Sequence, residues 1–400
     1  MPLRYHILPI LLMFAACLCA AESDNQTTQI VAVDSANYRM RDDFVTATLL
    51  VAEPSDVLYS TLGHIVIRLQ CPMYGLDYCF SYESENVSHK VFSFLAGKLQ
   101  MGMFAIQTEE YLGDLENKRR GVREFTLNLT PAQKQRLWRF CDEKVAEGAN
   151  LKYDFVNGGC ALSCFSLLME TVNADSVVFT QWPRNVINHT WREIVASRMP
   201  VGTEWQWFVM MLLVGNEVDS VRSPYRNMIV PEDVVYTLQY AIYNGMPILS
   251  SNFRWLVPYT DNTHRFWLTP QLLGVLLLIL EIVVSMLFLI YKNVQIWRYL
   301  SASVDVIVLC ICGILGGLLT YLVVFSQLPC THWNWLFIPF NILPIIAWHW
   351  RRYWCLPVAV VLLIWLVAMV AYPHLLVDVS MIYLVFAYVI ILLKSVFYEK

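Results

Sequence analysis

The sequence predicts an α+β domain on the outer side of a membrane, followed by an α-helical membrane domain. Three observations carry this. The first 21 residues have the make-up of a cleaved leader, residues 22 to 268 mix short β-type runs with amphipathic helical stretches, and from residue 269 long apolar runs succeed one another. Of 400 residues, 57% are hydrophobic and only 15% charged, too apolar a balance for an ordinary soluble chain, and the excess is concentrated at the two ends.

The leader comes first. In MPLRYHILPILLMFAACLCAAES one arginine precedes an apolar run from about Ile7 to Ala16, and small residues stand after it at Ala20 and Ala21. This is the pattern of a secretory signal peptide, with a mature start near Glu22 and export of the domain behind it. A lipoprotein signal lipidated at Cys17 is the weaker reading, because phenylalanine fits poorly at the first position of that box.

In the exported region, residues 44 to 52, 64 to 70 and 78 to 82 read as strands, and CPMYGLDYC holds the Pro and Gly of a turn between two of them. Cys71 and Cys79 flank that turn in an oxidising compartment, so a hairpin disulfide and two free thiols are both open. TPAQKQRLWRFCDEKVAEG obeys the rule for a helix start, with Thr130 as cap, Pro131 at the first helical position and Leu137, Phe140, Cys141 and Val145 at helical spacing. A second helix should begin at about Cys160. EWQWFVMMLLVG, residues 204 to 215, is too short to cross a bilayer and reads as a buried or interfacial helix.

Five spans are predicted at roughly 271 to 291, 304 to 326, 334 to 350, 356 to 372 and 376 to 394. Lys292 and Arg298 come after the first, Arg351 and Arg352 after the third, and Lys394 and Lys400 close the chain, whereas SQLPCTHWNW and AYPHLLVD carry no lysine or arginine. The positive-inside rule then turns those two loops outward and puts the C-terminus in the cytoplasm, in agreement with export of the N-terminal domain. Two polar features stand out. Glu281 lies near the middle of the first span, where a carboxylate costs about 2.5–3.5 kcal/mol on insertion scales. Asn341 lies between Pro339 and Pro344 in the third, which should be kinked. Both are candidates for lining a lipid or peptide site, and both are equally readable as helix-packing contacts.

The net charge of −4, with no long basic run, gives no footprint for nucleic acid. The histidines are scattered and no CxxC pairs with another, so neither a metal nor another cofactor is expected.

Chemistry concentrates at two places. YDFVNGGCALSC, residues 153 to 164, puts Gly158 and Gly159 directly before Cys160 at a predicted helix start. A helix N-terminus lowers a thiol pKa, and the glycines should allow a sharp bend and close approach of a substrate, with nearby amides as oxyanion donors. On spacing alone, a buried structural thiol is the commoner reading. Cys164, one turn on, should pack beneath. The other place is LYSTLGHIVIRL, residues 58 to 69, where Gly63 precedes His64 in a β-type run. A lone strand histidine is more often a hydrogen-bonded core or surface group, yet beside a cysteine it would be the base that forms the thiolate and the acid that protonates the leaving group.

YSTLGHIVIRL, FLAGKLQMGMFAIQTEEY, RRGVREFTLNLTPAQKQRL, YDFVNGGCALSC and PEDVVYTLQYA, in this order, resemble the exported domain of the Lnb family of bacterial lipoprotein N-acyltransferases, and the five predicted spans are similar to that family's membrane domain. The resemblance covers nearly the whole mature chain. It implies a circularly permuted papain-like fold (NlpC- or LRAT-like), with His64 and Arg68 as the histidine and arginine of the family's GHxxxR pattern and Cys160 as nucleophile. A polar residue on the next strand, for which Ser81 is the candidate, would orient the histidine. Gly159 and Arg68, with Glu281 and Asn341, become substrate-binding candidates. The family often carries two asparagines where this chain has Gly158 and Gly159. The implied reaction moves a fatty acyl chain, through a Cys160 thioester, from a phospholipid or a lipoprotein ester to the α-amino group of a diacylated lipoprotein at the outer face of the inner membrane. A membrane-anchored cysteine hydrolase acting on phospholipid esters or peptidoglycan peptides would use the same pair.

Overall fold

A computed structural model of the protein describes residues 44–84, 90–260, 266–343, 350–372 and 378–398. The leader, Pro344 and most of the predicted outward loop at 371 to 378 lie outside the described residues. The chain forms two compact units, one from the described parts of Met1–Arg184 and Met228–Asn262, the other from those of Asn185–Asn227 and Thr263–Lys400.

The first unit is built on strands β1 (Thr46–Ala52), β2 (His64–Cys71), β3 (Leu76–Ser84), β4 (Gln100–Gln107), β5 (Val122–Leu127) and β6 (Leu151–Lys152), a small sheet of β7 (Val178–Phe179), β8 (Ala241–Tyr243) and β9 (Met246–Pro247), and a last long strand β10 (Leu249–Val257). The main sheet has the order β10-β5-β1-β2-β3-β4-β6 and is antiparallel throughout. Helices α1 (Val91–Leu95), α2 (Thr108–Asn117), α3 (Pro131–Glu147) and α4 (Cys160–Val172) belong to this unit. Then α5 (Trp191–Arg198) and α6 (Glu204–Leu213) belong to the second, and α7 (Pro231–Gln239) to the first again.

Helices cover both faces of the sheet, which is why β1 and β2 are apolar almost throughout rather than alternating. Leu50, Ala52, Val66, Cys79 and Val122 share one face with Tyr111 and Leu115 of α2. The opposite face carries Phe80, whose ring meets Trp138 of α3 edge-on at 6.4 Å. Helix α3 starts as its sequence predicts: Thr130 and Gln133 form a reciprocal capping box and Pro131 opens the helix.

The hairpin disulfide does not form; Cys71 and Cys79 are free and buried. The register explains why. Cys79 is opposite Arg68 and Cys71 is opposite Leu76, so the two thiols point to opposite faces and lie three residues apart along the strands, about 10 Å.

In the second unit, α8 (Pro270–Ile290), α9 (Gln295–Val324), α10 (Arg351–Ala371) and α11 (Val379–Tyr398) complete the chain. Among the described residues these are the four helices long and apolar enough to cross a membrane. The predicted third span differs from expectation: residues 334 to 342 form a 3-10 turn at Trp335–Phe337 and then irregular backbone, not a continuous helix. Pro339 supplies no amide hydrogen for helix pairing, and Asn341 turns its side-chain amide onto the carbonyls of Phe337 and Ile338 while its side-chain oxygen accepts from Leu343 N.

Candidate active site

Strand β3 stays paired with β4 as far as Ser84–Met101, but its pairing with β2 ends at Ile67–Phe80. The two strands therefore part at the level of His64 and Ile65, and the start of α4 comes in there. The amides of Ile65 and Ala161 donate to the Cys160 sulfur. Because Ile65 is the residue directly after His64, the thiol rests against the backbone that carries the imidazole.

The glycines play unequal parts. Gly63 has φ +91°, and a Cβ on it would stand 3.0 Å from the carbonyl oxygen of Ala52, the residue paired with His64. It sets the chain into β2 in a conformation other residues rarely adopt. Gly159, the N-cap of α4, has φ −68° and ψ 164°, with the nearest atom to an added Cβ 4.0 Å away. The sharp bend expected of Gly158 and Gly159 is made instead by Asp154, whose side chain accepts from Val156 N at 2.9 Å and Asn157 N at 3.1 Å and whose carbonyl accepts from Gly158 N at 2.8 Å.

His64 Nε2 lies 2.8 Å from Ser81 Oγ on β3 and 3.8 Å from Glu83 Oε1. The Ser81 hydroxyl also bonds the Glu83 carboxylate. With its single hydrogen directed to the carboxylate, Ser81 accepts from Nε2–H, and Nδ1 is the imidazole nitrogen left with a free lone pair.

Electrostatics reverse one expectation. Burial pushes the Cys160 thiol up to about 11, against the lowering effects of the two amides and then of the Arg120 guanidinium. The helix start does not win: desolvation of the thiolate outweighs it. Burial, and then the positive charge of Arg120, lowers His64 to about 3. At neutral pH the pair is an uncharged thiol and an uncharged imidazole. Burial also raises Glu83 above the usual carboxylate range. Cys164 is buried beneath, its pKa raised further by desolvation and by Cys160.

Arg120 and Tyr111 belong to this cluster and were not anticipated. Helix α2 ends in a Schellman turn, with Arg120 N donating to Leu115 O and Arg119 N to Glu116 O, both at 2.8 Å, and Arg119 at φ +50°. The turn brings Arg120 to the inside, and Gly121 comes next, where a Cβ would stand 2.9 Å from the Tyr259 backbone. The local pattern that could have pointed here is the RRG triplet, two arginines and a glycine between a polar helix and a strand.

The other candidates lie elsewhere. Arg68 is 8% exposed and spends its donors on Asp77, at 2.8 and 2.6 Å, and on Glu124 at 2.8 Å, with Thr48 and Arg254 also on Glu124 and Gln70 and Thr108 also on Asp77. These bonds tie β2 to β3 and to Glu124 of β5. Glu281 and Asn341 belong to the other unit. Glu281 is buried between helices, bonded by Ser285 at 2.7 Å and by Lys394 at 3.1 Å; Lys394 also reaches Ser301 at 2.8 Å and Asp305 at 2.5 Å. Asn341 caps its own turn.

Residues 35–197, which include His64, Ser81, Arg120 and Cys160, match the family described as the Lnb N-terminal periplasmic domain, and residues 261–399 match the Lnb transmembrane domain. No curated protein and no solved structure matches the chain. The two matches fall in sequence order on the α/β unit and on the helical one, and between them they take in most of the protein; the chain belongs to the Lnb family, as a multi-pass inner-membrane protein with a periplasmic N-terminal domain.

Proposed function

We propose that the protein is a lipoprotein N-acyltransferase working through an acyl-thioester on Cys160. The observation that carries this is the Cys160 sulfur held by the Ile65 amide beside His64, in a chain of the Lnb family. We read the helix-borne cysteine, the antiparallel sheet bearing the histidine and the polar residue on the next strand as a circularly permuted papain-like arrangement. The C-terminus is read as cytoplasmic.

The chemistry starts from two neutral partners. As Cys160 attacks the ester carbonyl of the donor, its S–H proton passes to His64 Nδ1, and Ser81 and Glu83 hold the imidazole in place. The S–C bond forms, the ester C–O bond breaks, and His64 returns the proton to the departing alkoxide. In the second half the α-amino group of a diacylated lipoprotein attacks the thioester. His64 takes a proton from the amine and gives it to the sulfur as an amide is released. Low polarity at Cys160 suits this scheme, because a site that excludes water lets the thioester wait for the amine.

Incubation with phospholipid or with diacylated lipoprotein alone should label Cys160 as a thioester, and adding an acceptor with a free N-terminal amine should clear the label into amide. Cys160→Ser should lose N-acylation by at least two orders of magnitude, and Cys164→Ser should keep most of it. If the label leaves as free fatty acid at the same rate with and without acceptor, the protein is a hydrolase.

A further inference from the structure

Arg120 is a half-buried cation without a full set of partners among the described residues. Its Nε donates to the backbone carbonyl of Glu53 at 2.5 Å, and its Nη2 is buried with no hydrogen-bond partner among the described residues. The carboxylate of that same Glu53 is held by Arg123 at 2.7 Å, and Arg123 takes Glu232 at 2.6 Å as well. Tyr111 has the same deficiency: it is 7% exposed and its hydroxyl is buried without a partner among the described residues. Both groups lie close enough to Cys160 and to each other to act electrostatically on one another. Two buried donors without a partner among the described residues, one of them on a guanidinium, thus lie within electrostatic range of the nucleophile.

A desolvated guanidinium is tolerated only where an anion completes it, and its planar fork suits phosphate oxygens in particular. Cys160 and His64 are uncharged at rest, and the nearby Glu53 carboxylate is shared with Arg123, so no carboxylate bonds the free Arg120 Nη2 among the described residues. We propose that Arg120 Nη2 and the Tyr111 hydroxyl form an anion subsite that holds the phosphodiester of a glycerophospholipid acyl donor while its ester lies at Cys160. This rests on the acyl-transfer reading above and names its donor class. In a glycerophospholipid the phosphate sits on the same glycerol as the scissile ester, a few bonds from the carbonyl. A diacylglyceryl lipoprotein carries a thioether at that glycerol position and has no anion there to offer Arg120.

The test uses the full chain in nanodiscs and reads Cys160 thioester formation from phosphatidylglycerol and from diacylglycerol of the same acyl chains. The wild type should label at least tenfold faster from phosphatidylglycerol. In Arg120→Gln that ratio should fall to near one, with Arg120→Lys between. Tyr111→Phe, which removes only a hydroxyl, should lower the ratio severalfold and carries the test if the arginine variant fails to fold. A ratio unchanged in both variants overturns the proposal. Glycerol phosphate should protect Cys160 from alkylation in the wild type and not in Arg120→Gln, and inorganic phosphate should protect far less; equal protection by inorganic phosphate would make the ligand a free anion and overturn the lipid assignment. If no donor labels Cys160 yet protection by glycerol phosphate depends on Arg120, the acyl-transfer reading fails and the anion subsite stands.

Discussion

At the scale of single residues, the thiol was easy to find in the sequence and its charge state was not. A cysteine after two glycines at a helix start is visible as a motif; the burial that raises its pKa to about 11 depends on β2, β3 and α4 meeting around it. The consequence is measurable. Alkylation of Cys160 by a small neutral reagent should be slow at neutral pH and climb through pH 9 to 11. Arg120→Gln should move that rise to still higher pH, because the guanidinium lowers the thiol pKa. A flat profile from pH 6 upward would instead show a thiolate formed at rest. The glycines make a second contrast: Gly63→Ala forces a side chain into φ +91° against the Ala52 carbonyl and should destabilise the exported unit by about 1–3 kcal/mol. Gly159→Asn should be close to neutral in thermal stability, since its backbone is ordinary and there is room for a Cβ. Sequence alone treats these glycines alike, because each directly precedes the residue of interest.

Among the elements, strands and caps were legible because their signals are local. Alternating or continuous apolar runs gave β1 to β3, and Thr130-Pro131 gave the start of α3. What the sequence left open was relational. The disulfide depended on the register between β2 and β3, and the role of Arg68 depended on Asp77 and Glu124 arriving from other strands. Helix α2 was not read from the sequence, and its end carries no glycine signal because its left-handed position is filled by Arg119. That substitution has a cost of about 1–2 kcal/mol for an L-residue in this conformation. Arg119→Gly should therefore raise the thermal midpoint of the exported unit by a few degrees without moving Arg120. A lowered midpoint would show that the Arg119 side chain contributes more than its backbone costs.

At the scale of the whole molecule, the division into an α/β unit and a helical unit was readable from hydropathy, whereas the broken backbone after Asn334 was not, since apolar content says nothing of hydrogen-bond continuity. Topology depends on that stretch. If residues 334 to 350 cross the membrane, reporter fusions after Arg298 and Arg352 read as cytoplasmic and fusions within PCTHWNW as external. If they do not, Arg351 and Arg352 stand outside, against the charge rule. The expected outcome is a cytoplasmic reading after Arg352; an external reading removes the five-span topology.

The excursion of Asn185–Asn227 into the helical unit also sets a timetable for synthesis. The main sheet is complete once Val257 has emerged, but α6 finds its partners later: Trp205 bonds Leu268 O, Gly215 N bonds Cys330 O, and Leu212 O receives Asn334, 122 residues downstream. At translation rates of about 5–20 residues per second, that last contact waits roughly 6–24 seconds. The two ends of the excursion are pinned meanwhile, with Asn227 Nδ2 donating to Val186 O at 2.9 Å and His189 O at 3.1 Å. The newborn periplasmic chain thus holds a closed loop with an apolar helix at its tip and nothing yet made to cover it. A chain cut before residue 266 lacks Leu268, Cys330 and Asn334, so in it the excursion, and not the sheet, is the segment left without its partners.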